Sequence, residues 1–179
     1  ENQELQIEDG ASPAKMQIIA NGVNIERFGV IHRTTAFHPP TVALIGRVVP
    51  IKDVKTFIRA CAIIKEHLPG LHAYVMGPVD EDKEYYRECV EIVAHQQLEQ
   101  TVIFTGKINV LDYFPRIDVV VLSSISEAQP LVILEAGAAG IPSVATDVGA
   151  CREMVMGASD EMPPLGEAGG IASLSNPQS

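Results

Sequence analysis

Short apolar runs rich in β-branched residues alternate with amphipathic segments along most of this 179-residue chain, and that alternation leaves it few folds. Thr41 to Arg47, Leu71 to Met76, Val102 to Thr105, Asp118 to Leu122, Ser143 to Thr146 and Gly169 to Leu174 read as strands. Between them, Asp53 to His67 sets Phe57, Ile58, Cys61 and Ile64 on one helical face, and Asp82 to Gln97 turns most of its charge outward. A short helix is expected near Val110 to Phe114. Another starts at Pro130, which suits a first turn, runs through Leu131, Leu134, Glu135 and Ala138, and stops near Gly140-Ile141-Pro142. Strands that are apolar throughout need cover on both faces, which a parallel sheet between helix layers supplies. With right-handed crossovers the expected class is α/β, a doubly wound, Rossmann-like parallel sheet. Residues 1–15 read as a short helix or linker, or the end of a preceding domain, and 16–179 as one domain. Met16 to Ala20 is a further strand candidate, closed by Asn21-Gly22; His32 to Pro40 and Gly157 to Glu167 read as loops.

Charge narrows the partners. Thirteen basic and 23 acidic residues give a formal charge of −10, so nucleic acid and anionic membrane are poor partners. Any phosphorylated ligand must be held by local cations. Cys61, Cys89 and Cys151 are widely spaced, with no Cys-x-x-Cys pair, which argues against a disulfide framework or a zinc site and for a reduced, cytoplasmic setting. No apolar run is long enough to span a membrane.

Chemistry concentrates where strands feed helices. Glu127 and Glu135 stand eight positions apart, with the helix start between them. A helix start at the carboxyl end of a parallel strand favours a phosphate through its free N–H groups and dipole. Glu127 would lie in the loop beside that anion site. Glu135 sits in an otherwise apolar helix, where a lone carboxylate is expensive without a partner. Gly46-Arg47 and Lys52 project from the same sheet edge; an Arg fork and a Lys point charge could neutralise a pyrophosphate there. Gly77-Pro78, Gly106-Lys107-Ile108 and Gly149-Ala150 are strand-to-helix turns at that edge. Asp80-Glu81-Asp82 has the look of a divalent-metal carboxylate pair, but N-capping of the following helix accounts for it more simply. Neither Gly-x-Gly-x-x-Gly nor a Gly-x-x-x-x-Gly-Lys phosphate loop is present, and His32, His38, His67, His72 and His95 are scattered.

Together these residues resemble the carboxyl-terminal domain of the retaining, GT-B-fold glycosyltransferases of family 4. Asn21-Gly22-Val23-Asn24-Ile25-Glu26-Arg27-Phe28 resembles the family's Asn-Gly-Val-Asp…Phe segment, with Asn24 for Asp. Gly46-Arg47…Lys52-Asp53 resembles its Gly-Arg…Lys-Gly motif, and Glu127 to Glu135 its Glu-x7-Glu motif. Within the family, Ser124 to Gly137, Val144 to Gly149 and the opening Gln6 to Ala11 are similar to the Pel exopolysaccharide glycosyltransferases.

The resemblance implies that Arg47 and Lys52 bind a donor diphosphate, that Glu127 faces the donor sugar and that Glu135 holds the ribose hydroxyls. Gly106, Lys107 and Ile108 would lie against the base. The commoner family form has Gly-Phe-Gly at Ala128-Gln129-Pro130; Pro130 has no N–H, so Gln129 and Leu131 would carry more of the backbone contacts. It further implies a UDP-sugar donor, with UDP-glucose the expected one, no cofactor and no metal, because Arg47 and Lys52 do the metal's work. A polysaccharide acceptor would be met through an amino-terminal domain preceding Glu1, with final helices following Ser179. The setting admits a membrane-embedded synthase complex at the inner face of a membrane. A sugar-nucleotide epimerase of the same fold, a non-catalytic nucleotide-binding module and a purely structural domain are the alternatives.

Overall fold

The structure is a computed structural model that describes residues 6–17, 19–31, 37–157 and 168–174. Six strands form one parallel sheet: β1 (Thr41–Ile45), β2 (His72–Met76), β3 (Val102–Gly106), β4 (Val119–Leu122), β5 (Ser143–Thr146) and β6 (Gly169–Ala172), in the order β3-β2-β1-β4-β5-β6. This is the doubly wound order, and the winding reverses between β1 and β4, where a crevice opens at the strands' carboxyl ends.

Five α-helices accompany the sheet: α1 (Ile25–Phe28), α2 (Val54–His67), α3 (Lys83–His95), α4 (Leu131–Ala138) and α5 (Cys151–Met156). Successive residues of β1 face opposite cores. Leu44 joins Val54, Phe57, Ile58, Val75, Tyr85 and Cys89 under α2 and α3. Ala43 joins Phe28, Met76, Phe114, Val120 and Ala136 on the other face. A third cluster, with Leu122, Ala145, Cys151 and Val155, seats α5. Burial of its side chain pushes the Cys61 thiol up to about 12 and those of Cys89 and Cys151 up to about 11, the behaviour of inert packing thiols.

Helix starts follow the caps. The Asp82 carboxylate accepts from the Tyr85 N–H (2.9 Å) to begin α3. Asp53 caps α2 by accepting from the Thr56 N–H, and does so with φ 43° and ψ 53°. The expected helix near Val110 to Phe114 is two 3-10 turns, Val110–Asp112 and Phe114–Arg116, each set by a local proline or asparagine.

One expected strand does not form. The described residues of Met16 to Ala20 have no strand, and Ile19 stands 82% exposed. An apolar run forms a strand only where it joins a ladder, and among the described residues no strand pairs with the outer side of β3 or β6. In the opening segment, residues 6–8 are helical and Pro13–Lys15 forms a 3-10 turn. His32, and the loop from Gly157 to Glu167 beyond its first residue, lie outside the described residues.

Candidate functional site

The turns after β1 and β2 are pressed together. Gly46 N–H donates to the Met76 carbonyl (2.9 Å) and Val48 N–H to that of Pro78 (2.9 Å). A Cβ on Gly77, at φ 155°, would lie 2.0 Å from the Gly46 carbonyl oxygen, so only glycine fits. Arg47 leaves this turn exposed, and its Nη1 donates to Glu81 Oε1 at 2.5 Å. A 3-10 turn, Pro50–Lys52, then brings Lys52 back towards β4, with its methylenes over Gly46.

There Lys52 Nζ donates to Glu127 Oε1, forming an ion pair whose side chains are only 19% and 12% exposed. Backbone contacts join the two loops across the switch point. Ser123 Oγ lies within hydrogen-bond distance of the carbonyls of Lys52 (3.0 Å) and Asp53 (2.9 Å), and Ile125 N–H donates to the Ile51 carbonyl (3.0 Å). Buried Ser124 donates to the same Glu127 Oε1 (2.7 Å), and Thr146 Oγ1 donates to the Ser124 carbonyl (2.5 Å). Both donors meet one oxygen of Glu127, which leaves the second without a donor among the described residues.

The far side of this loop is fixed by backbone. Gly149 has φ 53°, and a Cβ there would lie 2.0 Å from the Glu127 carbonyl oxygen. Ala150 N–H donates to the Ala128 carbonyl (2.9 Å). Pro130 is the N-cap of α4 rather than part of its first turn, and no side chain caps that helix. Leu131, its first residue, is 49% exposed.

Glu135 stands apart from Lys52 and Arg47: among the described residues no hydrogen bond or ion pair joins it to either. Burial pushes its carboxyl up from the ordinary carboxylate range, and the charge of Arg27 pulls it partly back. The third turn is tied in by Gly77 N–H, which donates to the Gly106 carbonyl (3.0 Å); Lys107 is exposed and Ile108 packs against the second core. In Asp80-Glu81-Asp82 the second carboxylate holds Arg47 and the third caps α3. His38 lies 3.8 Å from Asp118 at the opposite sheet edge. An apolar cavity of about 470 Å³ opens there too, lined by Thr41, Leu71 and Val119 among others, and holds none of the candidate residues. Sequence reasoning missed Ser123, Ser124 and Glu81 as partners of the site. The serines precede Glu127 in the chain, but what their hydroxyls bind depends on loops far away in sequence.

The arrangement sets two cations and two carboxylates at the crevice of a doubly wound sheet, with residues 39–171 matching the family described as "Glycosyl transferases group 1". The chain belongs to that family. It is similar to a D-inositol 3-phosphate glycosyltransferase of Kribbella flavida, 30% identical over 155 residues, which are 78% of this chain and 37% of that protein. It is also similar to the lipopolysaccharide core biosynthesis mannosyltransferase LpsB of Rhizobium meliloti, 34% identical over 67% of this chain and 35% of that protein. The chain therefore spans little more than a third of these curated relatives. Among solved structures, a Rickettsia africae glycosyltransferase superposes with a TM-score of 0.79 at 17% identity, covering 98% of this chain and 47% of that one. Anabaena HepE, solved with UDP and glucose, gives 0.72 at 23%, covering 85% and 44%. Both likenesses speak to the fold, and they agree with the parallel sheet and its helix layers.

Proposed function

We propose that residues 16–179 form the donor-binding domain of a retaining glycosyltransferase that passes a hexose from UDP-glucose to a growing exopolysaccharide, of the Pel type. The observation that carries this reading is the Lys52–Glu127 pair at the switch point, with Arg47 on the same edge. An ammonium has three donors. Lys52 can keep Glu127 and still meet a phosphate oxygen, tying the carboxylate to the diphosphate. Arg47 adds a planar fork, and the two cations stabilise charge on the departing diphosphate, so the reaction needs no metal or cofactor.

Glu127, its Oε1 already taken by Lys52 and Ser124, offers Oε2 to a sugar hydroxyl. Glu135 receives the ribose hydroxyls. Gly46 lets the backbone approach the phosphates, and Gly106, Lys107 and Ile108 lie beside the base. Gln129 and Leu131 offer backbone N–H groups that Pro130 cannot. Support for a UDP donor comes from HepE, solved with UDP-glucose, and the pneumococcal O-GlcNAc transferase GtfA, solved with UDP and GlcNAc. The acceptor would be met through a further domain, at the cytoplasmic side of a membrane synthase complex; no helix among the described residues is long and apolar enough to cross that membrane.

Calorimetric titration of UDP and UDP-glucose into this chain tests the reading. Binding is expected, with little sugar transfer by this chain alone. Arg47→Ala and Lys52→Ala are each expected to weaken UDP-glucose binding at least about tenfold, on the scale of one charge-assisted contact. No binding at millimolar UDP, or two mutants that bind like wild type, would refute it.

A further inference from the structure

The segment 21–29 meets the chain around α4 at two places, Gln129 before the helix and Ala136 to Ala139 near its end. At one end, Asn21 N–H donates to Gln129 Oε1 (2.6 Å) and Asn21 Nδ2 donates to the Gln129 carbonyl (3.0 Å). Two residues 108 positions apart thus close a double amide contact. At the other end, Asn24 caps α1 by accepting from the Arg27 N–H (2.8 Å), and Phe28 sinks to 4% exposure in the core it shares with Ala136 and Ala139 of the α4 region. The Phe28 ring meets that of Phe114 at a tilt of 44°, centroids 6.0 Å apart, which anchors the segment. Arg27, carried between these anchors, is the positive charge that acts on Glu135.

The loop after Glu127 is held residue by residue. Ser124 and Lys52 fix the Glu127 carboxylate, Gly149 packs on its carbonyl, and Ala150 holds the carbonyl of Ala128. Gln129 comes next, and its carbonyl and side chain are both held by Asn21. The Gln129–Pro130 peptide lacks an N–H, so its plane is oriented through the carbonyl alone. That plane sets where α4 begins and where the Gln129 and Leu131 N–H groups point.

We propose that Asn21 is a positioning residue of this site: by clamping Gln129 it sets the turn between Glu127 and α4, and with it the grip on the sugar and phosphate of a nucleotide sugar. The proposal rests on the donor-site reading above. It differs from a packing role because Asn21 is exposed and its two contacts to Gln129 are hydrogen bonds.

The test compares Asn21→Ala, Gln129→Ala and the double variant with wild type, titrating UDP-glucose and UDP and following amide hydrogen exchange. Each single variant should weaken UDP-glucose binding about threefold to tenfold, the scale of one hydrogen bond. UDP, which lacks the sugar, should lose less. Asn21→Ala removes the Nδ2 bond to the Gln129 carbonyl and Gln129→Ala removes the Oε1 acceptor of the Asn21 N–H, so the double variant, which loses both bonds, should bind at least as weakly as the weaker single one. Gln129→Ala should also speed exchange of the Asn21 amide while α4 keeps its protection and the thermal midpoint holds. Single variants within about twofold of wild type, or a double variant that binds more tightly than the weaker single one, would overturn the proposal. If wild type binds and Lys52→Ala does not, while Asn21→Ala binds like wild type, this inference alone falls. If wild type binds neither ligand, the donor-site reading falls and takes the clamp's role with it.

Discussion

Two acidic residues carry conformational or electrostatic cost in the unliganded molecule. Asp53 sits in the left-handed region where the resembling motif has glycine, and Asp tolerates that region better than most side chains. Its carboxylate caps the helix that it opens, which offsets part of the strain. Glu135 has no such return. Burial raises its carboxyl above the ordinary value of 4.5, with Arg27 opposing. A raised folded value means that the native state holds the proton more tightly than the unfolded chain. This contribution to stability is therefore present below the ordinary carboxylate value and is lost as pH rises through the raised one. Glu135→Gln is expected to raise the thermal midpoint at neutral pH, with the gain vanishing below about pH 4. Thermal melts of both proteins between pH 4 and 8 check it; a gain that persists at the acid end would contradict desolvation of the carboxylate as its source. The same variant should weaken UDP binding, as expected for a carboxylate retained for its ligand.

Among the elements, the strands and long helices were legible because each has a local cause. Continuous apolar runs require a parallel sheet, and Asp53 and Asp82 stand where helices need caps. Met16 to Ala20 misled because an apolar run says nothing about whether a neighbouring strand exists. The helices α1 and α5 are too short for a periodic pattern to show, and only packing on α4 and on β5 and β6 reveals them. The turn at Gly149 shows how tightly elements are coupled. Gly149→Ala would drive a methyl into the Glu127 carbonyl, so it should displace the loop and weaken UDP-glucose binding at least about tenfold, with lowered stability. Gly137 lies in α4 with nothing within 4 Å of an added Cβ, and Gly137→Ala should stabilise by about 0.5–1 kcal/mol. Paired denaturation and titration of the two variants check this; equal effects would mean that the close approach at Gly149 is relieved by backbone movement.

Across the whole molecule, the sequence showed which residue types gather at one sheet edge, but not which touch. Arg47, Lys52 and Glu127 stood out as candidates by position beside a strand or helix start, and Glu135 as a lone carboxylate in an apolar helix. Their division into the pairs Arg47–Glu81 and Lys52–Glu127, and the separation of Glu135 from both, depend on side-chain reach between the loops after β1 and β2 and those after β1 and β4. Those pairs have a further effect on how a ligand arrives. Arg47 and Lys52 are each matched by a carboxylate, inside a chain whose formal charge is −10. On the donor-site reading, an approaching diphosphate would find no attracting field at a distance; it would meet a like-charged surface and gain its contacts only on arrival. Added salt screens that repulsion, with the Debye length falling from roughly 30 Å at 0.01 M to about 10 Å at 0.1 M. Stopped-flow association of a fluorescent UDP analogue should speed up over that range, the reverse of the usual steering of an anion into a basic cleft. A rate that falls with salt would show that the carboxylates release their cations before the ligand touches them. On the donor-site reading, encounter would then be diffusion against a weak barrier, and selectivity would begin when Lys52, still paired with Glu127, turns a free donor to the ligand.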